Sequence, residues 1–175
     1  MKLSSLVKNI PAIINGNGDI DIGKIEYNSR ASREGDLFVC LTGAKRDGHE
    51  FAAMAYDNGV RAFLCERALD LPTDAVQVIT CDTRAALAAI SADFYGRPAD
   101  KLNIIGITGS KGKTTTALLI QSILNSAGKN CAYIGSNGVI INNKHTETVN
   151  TTPESLVLHR YFDLMIIKVF ENFIC

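Results

Sequence analysis

The chain carries no excess of either charge: 18 lysines and arginines balance 18 aspartates and glutamates. Without a global positive field, nothing draws it as a whole to DNA, RNA or an anionic membrane, so any anion it binds must be held by a local device. Long apolar runs are also missing. The longest fall well short of the roughly 18–20 residues that cross a bilayer, and Lys8 interrupts the start too soon for a signal-peptide core. Paired cysteines are absent. Cys40, Cys65, Cys81, Cys131 and Cys175 stand alone, with no C-x-x-C and no histidine pair nearby. Three of them sit in apolar, strand-like runs and read as small buried hydrophobes, which points to a reducing compartment, the cytoplasm. No repeat or low-complexity tract is evident, and 46% hydrophobic against 21% charged residues is the balance of a globular chain.

What is present reads as α/β. Residues 19–28 alternate isoleucines with polar residues, as a half-buried strand does. Leu37-Phe38-Val39-Cys40-Leu41 is a short apolar run, residues 49–58 suggest a helix stopped at Gly59, and residues 61–65 and 75–81 read as two further strands. Asp82 or Thr83 can cap the helix that follows, and Gly96-Arg97-Pro98 breaks it. The Gly16-x-Gly18 pair lacks a third glycine and a preceding strand, so it is a plain turn. Residues 1–98 thus form one small mixed α/β unit.

Past Pro98 the pattern changes. Residues 102–108 show no alternation, as expected of a strand buried on both faces of a parallel sheet. A helix is predicted over residues 113–127, with Ala117, Leu119, Ile120, Ile123, Leu124 and Ala127 on one broad face. Gly128 ends it, and residues 130–136 supply the next strand. Residues 99–175 read as a second unit with two parallel strands and about two helices.

Between that strand and that helix lies Gly109-Ser110-Lys111-Gly112-Lys113-Thr114. Glycines let successive N–H groups turn inward on an anion, and the helix N-terminus adds partial positive charge. Lys113 can reach terminal phosphates, and the Thr114 hydroxyl can join a Mg²⁺ shell. Ser110, Lys111 and Thr115 complete the candidate nucleotide-binding set. The pattern departs from G-x-x-x-x-G-K-[ST], because Ile107 stands where the first glycine belongs and Gly106 comes one residue early. His49 and His159 have no partner in sequence and read as structural or surface residues.

Residues 106–116 resemble the ATP loop of the Mur ligases and the related folylpolyglutamate synthetases, which use the same shortened glycine pattern. Asn28-Ser29-Arg30, Gly35-Asp36-Leu37-Phe38-Val39 and Asp47-Gly48-His49-Glu50-Phe51 resemble the N-terminal domain shared by the tripeptide and pentapeptide synthetases among the Mur ligases, which folylpolyglutamate synthetases lack. Gly135-Ser136-Asn137-Gly138 and Asn150-Thr151-Thr152-Pro153-Glu154-Ser155 resemble the tripeptide-synthetase branch. The Asn-Asn-x-x-Gly motif of the pentapeptide branch is missing after the loop helix.

The resemblance implies a UDP-substrate domain over 1–98, followed by the first part of a P-loop parallel-sheet ATP domain over 99–175. It implies ATP and Mg²⁺ as cofactors, with Lys113 catalytic and Thr114 on the metal. The implied reaction phosphorylates the carboxylate of UDP-N-acetylmuramoyl-L-alanyl-D-glutamate, and a diamino acid, diaminopimelate or lysine, then attacks the acyl phosphate. Ser29 would contact the UDP end of that substrate, and Asn150, Thr151 and Thr152 its muramoyl-peptide part. Neither nucleic acid nor membrane is expected as a partner. The likeness runs over residues 20–164, and the apolar tail 165–175 falls outside it. A truncation or frameshift near residue 165 is therefore expected, and with it no ligase turnover by this chain alone. Two other classes remain open: a binding module for the UDP-substrate without catalysis, and a small P-loop kinase. The kinase reading leaves the 28–30 and 47–51 segments without a role.

Overall fold

The computed structural model describes residues 1–43, 46–141, 144–147, 153–167 and 172–175. They fall into two compact units, Met1–Phe94 and Tyr95–Cys175, each built on a five-stranded mixed sheet. Among the described residues no helix is long and apolar enough to cross a membrane.

The first unit runs α1 (Leu3–Leu6), β1 (Ala12–Asn15), β2 (Lys24–Glu26), β3 (Asp36–Val39), a 3-10 turn at Gly48–Phe51 leading into α2 (Ala52–Asp57), β4 (Ala62–Cys65), β5 (Val76–Thr80) and α3 (Thr83–Phe94). The strand order is β1-β5-β4-β3-β2, with β2 to β5 parallel and β1 antiparallel at one edge. Of the three inner strands, β3 and β4 are buried at every position, which is why their sequences are largely apolar runs. Phe38 and Phe63 meet edge to face at 6.2 Å, in a core shared with Cys40, Cys65, Ala52 and Ala55. The helix predicted over 49–58 begins as a 3-10 turn and becomes α-helical only at Ala52. The Asp82 carboxylate accepts from the Arg84 and Ala85 N–H groups and caps α3.

Two features depart from the sequence reading. The strand expected over 19–28 is confined to Lys24–Glu26. Upstream, Ile20 and Ile22 bond the N-terminal residues instead: Leu3 N–H donates to the Ile20 carbonyl and Ile22 N–H to that of Met1. Strand β1 and helix α1, both four residues long, carry too short a pattern to announce themselves.

The second unit runs from a 3-10 turn at Pro98–Lys101 through β6 (Asn103–Ile105), α4 (Lys113–Ser126), β7 (Cys131–Gly135), β8 (Gly138–Ile141), β9 (Lys144–Thr146) and α5 (Ser155–Ile167) to β10 (Asn172–Ile174). Its order is β6-β10-β7-β8-β9. β6, β10 and β7 are parallel, and β8 and β9 extend the sheet antiparallel. At the β7–β8 turn Gly138 has φ +84°, and a side chain there would strike the Thr146 carbonyl.

Three expectations change here. The unit has five strands rather than two. Strand β10 comes from the apolar tail and fills the place between β6 and β7, with Phe173 opposite both Ile104 and Ala132. β6 is an edge strand and not a strand buried on both faces: Ile104 is 44% exposed, because among the described residues its outer edge has no neighbour. Finally, α4 buries Ala117 and Gln121 and half-buries Ile120 and Leu124 against the sheet, whereas Leu119 and Ile123 are 60% and 66% exposed. Residues 117, 120, 121 and 124 share one face at 3.6-residue periodicity, and 119 and 123 fall on the opposite one.

Candidate functional site

The candidate anion site begins where β6 ends. Cys175 N–H donates to the Ile105 carbonyl and Ile107 N–H to that of Cys175, so the sheet holds the chain straight as far as Ile107. The loop then turns through Gly109 and Gly112 into α4. Gly112 is the helix N-cap at φ +80°, and the space beside it is open. Conformation rather than crowding therefore selects glycine there, since a Cβ in the left-handed region costs roughly 1–2 kcal/mol. The first-turn N–H groups of a helix have no intrahelical acceptor. In α4 no side chain caps them and the first turn has no acidic residue. They are available to an anion, and the helix dipole favours one.

Lys113 lies in the same turn, with its ammonium donating to the Gly109 carbonyl and so folded back over the loop. Thr114 Oγ1 lies 3.4 Å from Ser136 Oγ at the end of β7. Ser110, Lys111 and Thr115 are exposed on the loop and first turn. The structure thus gathers residues 109–115 at the carboxyl ends of β6, β10 and β7, the edge of a parallel sheet where ligands bind. Ser136 joins them. Sequence reasoning gave Ser136 no role in this site, because only sheet pairing carries it across the 22 positions from Thr114.

The other predicted residues lie elsewhere. Ser29 is in the first unit and buried, its hydroxyl directed at Met54 Sδ, 3.4 Å away, and its carbonyl accepting from Ser32 and Asn58. Asn150, Thr151 and Thr152 lie outside the described residues. His49 is buried with both ring nitrogens engaged. Nε2 accepts from the Glu66 N–H at 2.9 Å, so the proton sits on Nδ1, which donates to Asp47 at 2.6 Å. Arg67 binds the other oxygen of Asp47 at 2.6 Å. That guanidinium, followed by the His49 backbone and ring, holds the Asp47 carboxyl well below the usual carboxylate range. Glu66 in turn accepts from the Thr83 N–H and hydroxyl, which lowers its own pKa. The cluster ties the 47–49 segment to the ends of β4 and α3. His159 is half-buried on α5, edge-on to Phe162, and burial pushes its pKa down.

All five cysteines are free. Burial raises the thiols of Cys65 and Cys131 to about 11 and that of Cys40 further still, which makes them poor nucleophiles and poor metal ligands. Among the described residues no group of three His, Cys, Asp or Glu could hold a metal.

Two models of one family match the chain. "Mur ligase family, catalytic domain" covers residues 21–95, and "Mur ligase middle domain" covers 107–175. The chain belongs to the Mur ligase family. The middle-domain match runs through Cys175, so the tail expected to fall outside the resemblance lies within it. It supplies β10 of the ligase sheet. The UDP-N-acetylmuramoyl-L-alanyl-D-glutamate--2,6-diaminopimelate ligase of Syntrophomonas wolfei is 42% identical over 165 residues, covering 94% of this chain and 34% of that protein. A solved structure of a ligase with the same name superposes with a TM-score of 0.80 at 23% identity, over all of this chain and 36% of the other, and shows the shared fold. Thermotoga maritima MurF, solved in complex with ADP, matches at 25% identity and a TM-score of 0.56, over 86% of this chain and 31% of its own. The chain therefore spans about a third of the length of the ligases it resembles.

Proposed function

We propose that this chain contributes the nucleotide-phosphate cradle and the UDP-substrate domain of an ATP-dependent ligase that adds diaminopimelate to UDP-N-acetylmuramoyl-L-alanyl-D-glutamate. One observation carries the reading: in a Mur ligase chain, residues 109–115 form a loop between a parallel strand and a helix whose first turn is uncapped and free of acidic side chains. The diaminopimelate ligases similar over 94–95% of the chain support that amino acid over lysine.

In this assignment residues 1–98 hold the UDP-substrate, with Ser29 toward its UDP end, and Asn150, Thr151 and Thr152 touch the muramoyl-peptide. Residues 99–175 hold ATP. Ser110, Lys111 and Thr115 lie along the phosphates, while the loop N–H groups and Lys113 offset the charge that builds on the transferring phosphoryl group. The donor set at α4 suits Mg²⁺. Thr114 offers a hard oxygen with Ser136 beside it, and Mg²⁺ at such sites completes its shell from phosphates and water. The metal would neutralise phosphate charge. Five free thiols, two of them exposed, fit the cytoplasm.

Calorimetric titration of the full chain with Mg-ADP tests the nucleotide part. Binding is expected, and Lys113→Ala should weaken it at least tenfold by removing a charge-assisted hydrogen bond worth roughly 1.5–3 kcal/mol. Absence of binding, or binding indifferent to Lys113, would reject it.

A further inference from the structure

The chain has three methionines, and they differ in what surrounds them. Met165 is fully buried, and Met1 opens the chain with its ammonium on the Ile22 carbonyl. Met54, on α2, is 44% exposed and has a polar partner: the Ser29 hydroxyl donates to its Sδ at 3.4 Å. Ser29 is buried, and its carbonyl is fixed by Ser32 Oγ and Asn58 Nδ2. Its one hydroxyl proton, by contrast, rests on a thioether, which is a weak acceptor. A ligand oxygen arriving at Ser29 displaces such a partner at little cost.

Oxidation reverses that balance. Peroxides attack methionine sulfur where it is accessible. The sulfur lone pair attacks one peroxide oxygen, an S–O bond forms as the O–O bond breaks, and the other oxygen leaves as water. Sulfur gives up two electrons and the peroxide takes them. The product oxygen is a strong acceptor, and three rotatable bonds let the side chain draw back far enough to place it at about 2.7–2.8 Å from the Ser29 hydroxyl. We propose that Met54 is a site of reversible oxidation by peroxide, and that its sulfoxide captures the Ser29 hydroxyl and withdraws it from a ligand. The capture stands on the Ser29–Met54 geometry; its effect on UDP rests on the reading of residues 1–98 as the UDP-substrate domain.

The test exposes the full chain to hydrogen peroxide and then to dithiothreitol, which returns cysteine sulfenic acids and disulfides to thiols and leaves the sulfoxide in place. Mass spectra of tryptic peptides should show one added oxygen at Met54 at least tenfold sooner than at Met165. In ¹H–¹⁵N spectra the Ser29 resonance should move on oxidation of the wild type and stay in place in Met54→Leu, which keeps Met1 and all five cysteines. In calorimetry with UDP, wild-type affinity should fall at least fivefold on oxidation and return after methionine sulfoxide reductase. Met54→Leu, whatever its starting affinity, should read the same before and after peroxide. If that variant does not fold, reversal by the reductase decides alone. Oxidation of Met54 no faster than of Met165, a Ser29 resonance indifferent to the sulfoxide, or an equal fall in Met54→Leu would each overturn the proposal. So would a loss of UDP binding that follows from unfolding of the first unit, read by its urea transition. A reduced chain that does not bind UDP rejects only the UDP-substrate reading, and the mass spectra and the Ser29 resonance then decide the oxidation site.

Discussion

Asp47 shows how one side chain can hold a loop. Its two oxygens are divided between the His49 ring, which is buried, and the Arg67 guanidinium, which is more than half exposed. Solvent screens the second contact, so most of the stabilisation comes from the first. Asp47→Asn should lower stability by about 1–2 kcal/mol at pH 7, read by urea denaturation. Because the folded-state pKa is depressed, the wild-type advantage is full above the unfolded value of about 3.9 and is lost as pH falls through the lower folded value. The gap between wild type and variant should therefore hold from pH 7 to pH 5 and shrink below pH 4. A gap unchanged at pH 3 would rule out the carboxylate as its source. At this scale the sequence was partly legible. Lys113 and Thr114 could be named as candidates because their chemistry is contiguous with the glycines, whereas the bond from Glu66 N–H to His49 joins positions 17 apart and leaves no local signature.

At the scale of elements, β10 and α4 make opposite predictions about apolar residues. Phe173 is 1% exposed, flanked by β6 and β7 and in edge contact with Phe162. Phe173→Ala should cost about 3–5 kcal/mol, typical of truncating a core aromatic ring. Leu119 and Ile123, drawn by the sequence reading onto the core face, point away from the sheet, and Leu119→Gln or Ile123→Gln should change stability by less than about 0.5 kcal/mol. Denaturant midpoints of the three variants decide the matter, and a large loss at Leu119 or Ile123 would mean a core contact on that face. The misreading has a physical source. Apolar residues on both sides of α4 satisfy a three-and-four spacing if the face is allowed to widen, and only the sheet decides which stripe is inside. In the same way β6 reads as an interior strand because Ile104, Ile105 and Ile107 are apolar, yet its neighbours determine whether it is one. Helix α1 and strand β1 were lost to length alone.

For the whole molecule, the two units carry separate cores, one around Phe38 and Phe63, the others on the two faces of the second sheet. Units of about 80–95 residues are small enough to be individually marginal, so calorimetry should resolve two transitions rather than one. Mg-ADP at a hundredfold excess over its dissociation constant should stabilise one of them by about 2.7 kcal/mol and leave the other in place. A single transition that moves as a whole would show that the units melt together. The broad α/β plan and the change of pattern near Pro98 were legible from composition and periodicity. The strand order was not, since it depends on which segments return to pair.

That order also sets a sequence of events in time. β6 and β7 are separated by the width of one strand, and the strand that joins them, β10, lies 69 positions beyond β6. Neither neighbour can template the other, so this part of the sheet closes only after a long excursion of the chain returns, a step whose entropic cost makes it slow. The Cys175 bonds that hold Ile105 and Ile107 straight form in that same step. The 109–115 loop therefore acquires its shape late, and under the proposed function nucleotide capture should serve as a clock for the completion of folding.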